Sequence, residues 1–519
     1  YLKLHHLNNE KFESLSYLAL NETRVETIDH RTFEKCANLK KLRLDGNNIS
    51  ELDARLFKHC SSLVNICLDY NSIRTLPSDL FATCTQLAEI RLDYNKLEAI
   101  EANTFNSCPN LTSLFLDHNC IQRFCSTSIA QCHSLAHISL SHNKLTTLDA
   151  NTFRSCSMSI KQINLASNEL KSIEATLFAD CVNLVELVLS ENKIESIGSG
   201  GGDKQLFEAC SSLKQLWLDS NQIDELDERT FEKCVALKRL YLDKNKLTGL
   251  PPNLLKFNRE LETLSINGNR LELLDEHLLA NCGANLIDLS MNDNQMRQMP
   301  DKLLANCVNL SSLSFNSNQI ERIDPKAFDS CTKLRTISFR ANKLDSFDLS
   351  LVKKQARLQE LDLSMNHLKS IDKSLFKHAN HLNRIRLDSN QLEQLDAKQF
   401  EKCTHLTELY LHYNRLRAID ASLFEHCGNL RIICLNNNKI GNKIGSDLFS
   451  RCVFLNQLHL EYNEIEAIDV DAFKRCSYLR ELFLYENKLK LFELSSLKNL
   501  QVIELVQSKN ALKGTEDVS

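Results

Sequence analysis

Apolar residues in this chain return at fixed offsets, and almost nowhere do those offsets follow a helical period. The frame L-x-x-L-x-L-x-x-N-x-I-x-x-L, closed by F-x-x-C, recurs nearly every 24 residues from one end to the other. One copy is filled by Leu39, Leu42, Leu44, Asn47, Ile49, Leu52, Phe57 and Cys60. The next supplies Leu63, Ile66, Leu68, Asn71, Ile73, Leu76, Phe81 and Cys84. L-x-x-L-x-L predicts a short strand whose leucines face inward while its x positions face solvent. Parallel strands from successive copies then pair about 4.8 Å apart. Asparagine stands where the chain leaves the strand, with an amide suited to turn backbone that no regular ladder satisfies. No 3.6-residue period of useful length intervenes, so loops and short turns occupy the opposite side.

Rung asparagines run from Asn47, Asn71 and Asn95 to Asn463 and Asn487, and with Thr23 in the first visible unit they mark about 20 copies. The organisation expected is a partial N-terminal repeat over 1–14, tandem repeats over 15–499, and a degenerate last repeat and tail over 500–519, sketched by Leu500, Ile503 and Leu505. Each copy buries its core only against its neighbours, so one elongated solenoid is expected despite the chain's length. Strands pack more tightly than the loops opposite them, which bends such a stack into a horseshoe with the strands concave. The chain opens at Tyr1, without an initiator methionine and inside a repeat, which reads as a processed or partial N-terminus. An insertion at 198–204 carries Gly198, Ser199, Gly200, Gly201, Gly202 and Asp203. It does not match the phosphate-loop motif and reads as a surface loop. Near Pro251 and Pro252 the Phe and Cys marks become Leu255 and Asn258, and Leu279, Leu304 and Val352 replace Phe later.

On these residues, and on Phe33, Phe57, Phe81, Phe105, Phe153, Phe178, Phe231, Phe328, Phe376, Phe400, Phe424, Phe449 and Phe473, the chain resembles the leucine-rich repeat family over nearly its whole length. The phenylalanine position is similar to the 24-residue "typical" subclass of Toll-like and other receptor ectodomains. The fold expected is an α/β solenoid: a parallel sheet on the concave face, loops and short turns on the convex face.

Sixteen of the 20 cysteines, from Cys36 and Cys60 to Cys452 and Cys476, hold one frame position where related ectodomain repeats are expected to carry Leu. Cysteine packs as a small buried hydrophobe, and a core thiol on every rung is the reading taken. Side chains on stacked rungs are poorly aimed for bridges, and one ligand per rung builds no tetrahedral metal site. Buried thiols fit a reducing, cytoplasmic compartment; the phenylalanine pattern and the sequons at Asn21, Asn48, Asn110 and Asn309 point instead to an extracellular or cell-surface one. Cys120 and Cys125 fall on a loop, where a local bridge or two exposed thiols are the alternatives.

The outward positions carry whatever specificity the repeat holds. Asp45, Asp69, Asp93 and Asp117 form an acidic row beside Arg43, Arg91, Tyr70, Tyr94, His118 and His142. That row either attracts a basic partner or a cation, or caps its own turns. Trp217 beside Tyr241 is a second patch, since such aromatics anchor protein interfaces. A third gathers Tyr410, His412, Tyr413, Cys434, His459, Glu461, Tyr462, Phe483 and Tyr485 from four adjacent repeats. It reads as a hot-spot surface or as an area covered by a cap. Between them Ser265, Ser290, Ser314 and Ser338 make a flat strip open to a partner's backbone.

A net charge of −5 predicts no nucleic-acid or anionic-membrane partner. No segment approaches the run of about 18 apolar residues that spans a bilayer. No nucleophile, zinc or nucleotide motif is matched, so neither catalysis nor a cofactor is expected. The function expected is non-enzymatic recognition of a protein partner along the concave face. A receptor ectodomain sensing a protein or microbial ligand is the alternative, and a self-associating array with exposed edge strands the third.

Overall fold

The computed structural model describes residues 2–4, 10–197, 205–348, 351–441, 443–490 and 501–504. The insertion at 198–204, Leu500 and Leu505 lie outside them. The chain is a parallel-strand solenoid with almost no helix. It divides into two compact units, Tyr1–Leu261 and Glu262–Ser519.

In the first unit ten three-residue strands, from Tyr17–Ala19 to Arg239–Tyr241, pair in parallel in repeat order. The register keeps frame positions aligned: Leu42 faces Ile66, and Ile66 faces Ile90. In most of these strands only the middle residue is buried, as in Asn65–Cys67 and Glu89–Arg91. Burying each such leucine or isoleucine is worth about 1.5–3 kcal/mol. Before the first full repeat, Leu2–Leu4 pairs in parallel with Val25–Ile28.

The second unit repeats this arrangement with eleven strands, from Thr263–Ser265 to Val502–Glu504. Among the described residues the helical content is three short 3-10 turns, Glu10–Ser14, Ser126–Ile129 and Arg154–Cys156.

Phenylalanines form a buried spine on the turn side. Phe33, Phe57, Phe81 and Phe105 stack at 6.0, 5.9 and 6.0 Å in the first unit. Phe424, Phe449 and Phe473 do so at 5.9 and 5.7 Å in the second. Phe207 belongs to this spine, stacking on Phe231 at 6.1 Å. The insertion displaces it from the sequence frame, which hides it there. Leu255, Leu279, Leu304 and Val352 fill the phenylalanine place and are buried.

The rung asparagines bond as their spacing predicts. Asn71 Nδ2 donates to the carbonyls of Leu44, Leu68 and Asp69, while its Oδ1 accepts from the Ile49 N–H. Asn366 repeats the pattern in the second unit. The residue just before each rung asparagine adopts a left-handed conformation whatever its identity: Tyr70, Ser167, Lys244 and Met365 have φ of 53°, 53°, 51° and 55°. Only Gly46 and Gly268 there are glycines. Their varied side chains carry no turn signature, and the sequence gives no warning of this strand exit.

All 20 cysteines are free thiols. The sixteen ladder cysteines are buried, and several use sulfur as a weak donor. Cys84, Cys132, Cys427 and Cys476 aim Sγ at the carbonyls of Phe57, Phe105, Phe400 and Phe449, one repeat back, at 3.8, 3.3, 3.7 and 3.6 Å. At two of the three places where cysteine lapses an amide takes over: Asn258 Nδ2 reaches the Phe231 carbonyl at 3.0 Å and Gln355 Nε2 the Phe328 carbonyl at 2.7 Å, while the third holds the buried Ala379. The position therefore accommodates a donor facing the preceding turn without requiring one, since Ala379 is buried there as well. The local bridge between Cys120 and Cys125 does not form. Cys125 opens the turn Ser126–Ile129, and its Sγ lies 3.2 Å from Thr127 Oγ1.

Candidate functional site

The acidic row serves the backbone between repeats, where the capping reading places each carboxylate on its own turn. Asp69 Oδ1 accepts from the Asp93 N–H at 2.9 Å, Asp93 Oδ1 from the Asp117 N–H at 2.8 Å, and Asp117 Oδ1 from the Ser141 N–H at 2.7 Å. Each carboxylate thus caps the next repeat, not its own turn. Asp45 is held by Arg43 through two hydrogen bonds, and Arg91 reaches Asp69. Burial pushes the Asp93 carboxyl up to about 7, helped by the charges of Asp69 and Asp117.

The serine strip works the same way. Asn267, Asn292 and Asn316 accept N–H groups from Asn292, Asn316 and Arg340. They also accept the hydroxyls of Ser290, Ser314 and Ser338. These hydroxyls are spent inside the repeat array, so the strip offers a partner little.

Beside the acidic row, Tyr70, Tyr94, His118 and His142 stack face to face at 4.3, 4.1 and 4.1 Å. All four sit at the left-handed strand exit, with φ between 51° and 53°. Trp217 and Tyr241, opposite each other in register, stack at 5.5 Å and cover one face of each ring.

In the second unit the capping row breaks. The same frame position holds Asp388, His412 and Glu461. Asp388 lies 3.5 Å from His412 Nε2 and 3.7 Å from Arg386 Nε. Burial pushes Asp388 up and His412 down, each against the other's charge. Buried side-chain atoms without a hydrogen-bond partner collect here: Arg386 Nε, Asp388 Oδ1, His412 Nδ1 and Glu461 Oε2. Arg386 also covers the Tyr410 ring at 4.7 Å, and the Tyr410 hydroxyl donates to Glu408, itself clamped by Arg384. Burial, then Glu408, pushes the Tyr410 hydroxyl up to about 12.

The aromatic part of this patch forms pairs. His459 stacks on Phe483 at 4.4 Å, Tyr462 meets Tyr485 edge-on at 5.2 Å, and His412 meets Tyr413 edge-on at 5.5 Å. Tyr413 is 57% exposed and Tyr462 45%. Strands 408–410, 432–434, 457–459 and 481–483 thus bring the predicted residues onto one face. Cys434 is buried among them and acts as packing, with its thiol pushed up to about 12 by burial.

Two recurring signals were present in the sequence but not in the frame read from it. An aspartate four residues before the phenylalanine caps its turn: Asp53, Asp227, Asp372 and Asp420 each accept the N–H two residues on. An asparagine two residues after the ladder cysteine bonds a carbonyl of the preceding repeat, as Asn38, Asn183 and Asn429 do. Asn110 and Asn309, two of the sequon asparagines, spend their amides this way.

Among the described residues no group of three His, Cys, Asp or Glu side chains is arranged to hold a metal ion. No helix there is long and apolar enough to cross a membrane.

The family model for the BspA-type leucine-rich repeat region matches 7–125, 98–201, 260–383, 297–431 and 393–513, and a second leucine-rich-repeat model matches 201–247 and 211–271. No enzyme family is indicated. A comparison with curated proteins gives no match. Among solved structures, the Toll–Spatzle complex of Drosophila is similar at a TM-score of 0.67 and 19% identity, over 93% of this chain and 75% of that one. The plant peptide hormone receptor RGFR1 in complex with RGF2 gives 0.68 and 20%, over 96% and 87%. The functional domain of InlJ from Listeria monocytogenes, which includes a cysteine ladder, gives 0.51 and 18%, over 84% and 79%. At these identities the likeness is one of fold.

Proposed function

The chain belongs to the leucine-rich repeat family, and from that premise we propose that it is a non-enzymatic module that captures a protein partner on the outward face of its strands. The observation that carries this reading is the patch around Tyr413 and Tyr462. Large aromatic side chains stand exposed there at the strand exits, in the same patch as buried polar atoms the fold leaves unpaired. Aromatic anchors beside desolvated polar groups are where interface energy concentrates. Replacing Tyr410, Tyr413 and Phe483 together by Ala is expected to leave the circular dichroism spectrum unchanged and to abolish partner capture in a crosslinking pull-down. Unchanged capture by a folded triple variant rejects the patch.

The second reading, a receptor ectodomain, is favoured by the likeness to Toll and RGFR1, both seen bound to partners. A cytoplasmic placement rests on the thiols alone. Titration of thiols in denaturant without reductant separates the two. Reaction of nearly all 20 cysteines supports a reducing compartment, while extensive bridging or added glycan mass supports the ectodomain.

A further inference from the structure

Glu461 differs from six residues that share its frame position. Asp69, Asp93, Asp117, Asn267, Asn292 and Asn316 each spend a side-chain oxygen on an N–H of the next repeat. Glu461, one methylene longer than aspartate, turns instead along its own strand. Its Oε1 lies 3.4 Å from His459 Nδ1, and its Oε2 is buried with no hydrogen-bond partner. Only 6% of the residue is exposed. Taking a carboxylate oxygen out of water without a partner is costly, and nothing in the repeat requires it here.

The surroundings state what is missing. Both arginines of this face are already engaged, Arg384 with Glu408 and Glu360, Arg386 with Asp388 and the Tyr410 ring. No lysine or arginine lies within ion-pair distance of Glu461 among the described residues; its one charge-pair neighbour is His459. Around it stand aromatic rings, with Phe483 stacked on His459 and Tyr462 exposed beside it. A carboxylate beneath aromatic rings is the complement of a cationic side chain, which gains both an ion pair and ring attraction when desolvated. We infer that this patch binds a lysine or arginine side chain of the protein partner, with Glu461 as its counter-ion and Tyr413 and Tyr462 as its walls.

This assignment rests on the docking face proposed above and specifies its chemistry. The test measures binding of fluorescently labelled decalysine, with decaglutamate for comparison, to the full chain by anisotropy. Decalysine is expected to bind, decaglutamate not to, and Glu461→Gln to weaken decalysine at least tenfold. Glu186→Gln, on a strand of the first unit, is expected to change it less than twofold. Because the open oxygen serves a ligand and not the fold, Glu461→Gln should also raise the thermal midpoint of the unliganded chain. Equal losses in the two variants would mean diffuse charge attraction and overturn the assignment. So would decalysine binding within twofold of the original in Glu461→Gln. Should Glu461→Gln fail to fold, the double variant Tyr413→Ala with Tyr462→Ala replaces it; undiminished decalysine binding there rejects the site. If the triple alanine variant loses partner capture while Glu461→Gln keeps it, the docking face stands and its cationic chemistry falls.

Discussion

Asn71 closes four hydrogen bonds with one side chain, three donated to carbonyls and one accepted from an N–H. Replacing it by Ala leaves several buried backbone groups unpaired, at about 1–3 kcal/mol each. Asn71→Ala is expected to destabilise the first unit by about 3–5 kcal/mol in a denaturant titration, and a loss below 1 kcal/mol contradicts the role. Asp93 makes the opposite prediction. Its folded carboxyl titrates near 7, well above the ordinary aspartate value. The folded chain therefore holds a proton that the unfolded chain has released, and stability falls as pH rises from about 4 to 7. Asp93→Asn keeps the acceptor for the Asp117 N–H and removes the buried charge. It should stabilise by on the order of 4 kcal/mol at pH 8, with the gain vanishing toward pH 4. A gain independent of pH would show that burial of the charge is not the cause. The asparagine's task was legible in the sequence because the strand ends there. The aspartate's was not, because which N–H it meets depends on the next repeat's register.

At the scale of one repeat, the strands and the turn-side phenylalanines follow directly from the apolar frame. The cysteine rung was legible as a buried thiol, while its reason was not. Only the geometry places the Sγ of Cys84, Cys132, Cys427 and Cys476 beside a carbonyl of the preceding turn, where Asn258 and Gln355 put an amide donor instead. A thiol reagent applied to the native chain should reach Cys67, Cys120 and Cys125, which are partly exposed, and spare the 17 buried cysteines until unfolding. Elevated thiol pKa values, about 12 at Cys132 and Cys427, slow the reaction further, because the thiolate is the nucleophile. Fast labelling of any ladder cysteine would mean that its repeat opens locally.

For the molecule as a whole, the repeat accounts for architecture and is silent on partners. Three of the surface features picked out from sequence have internal explanations. The acidic row and the serine strip hold successive repeats together, and Trp217 and Tyr241 cover one another. The patch at Tyr410–Tyr485 differs because it leaves buried polar atoms without hydrogen-bond partners. Sequence placed those residues on one face but could not reveal the unpaired atoms, since burial and bonding distance follow from packing. The most direct measurement is site-specific photocrosslinking, with a benzophenone amino acid at position 413 on the strand face or at 398, an exposed residue on the turn side. Recognition through the strand face predicts a crosslinked partner from position 413 and none from 398. A partner caught from 398 and not from 413 would contradict it.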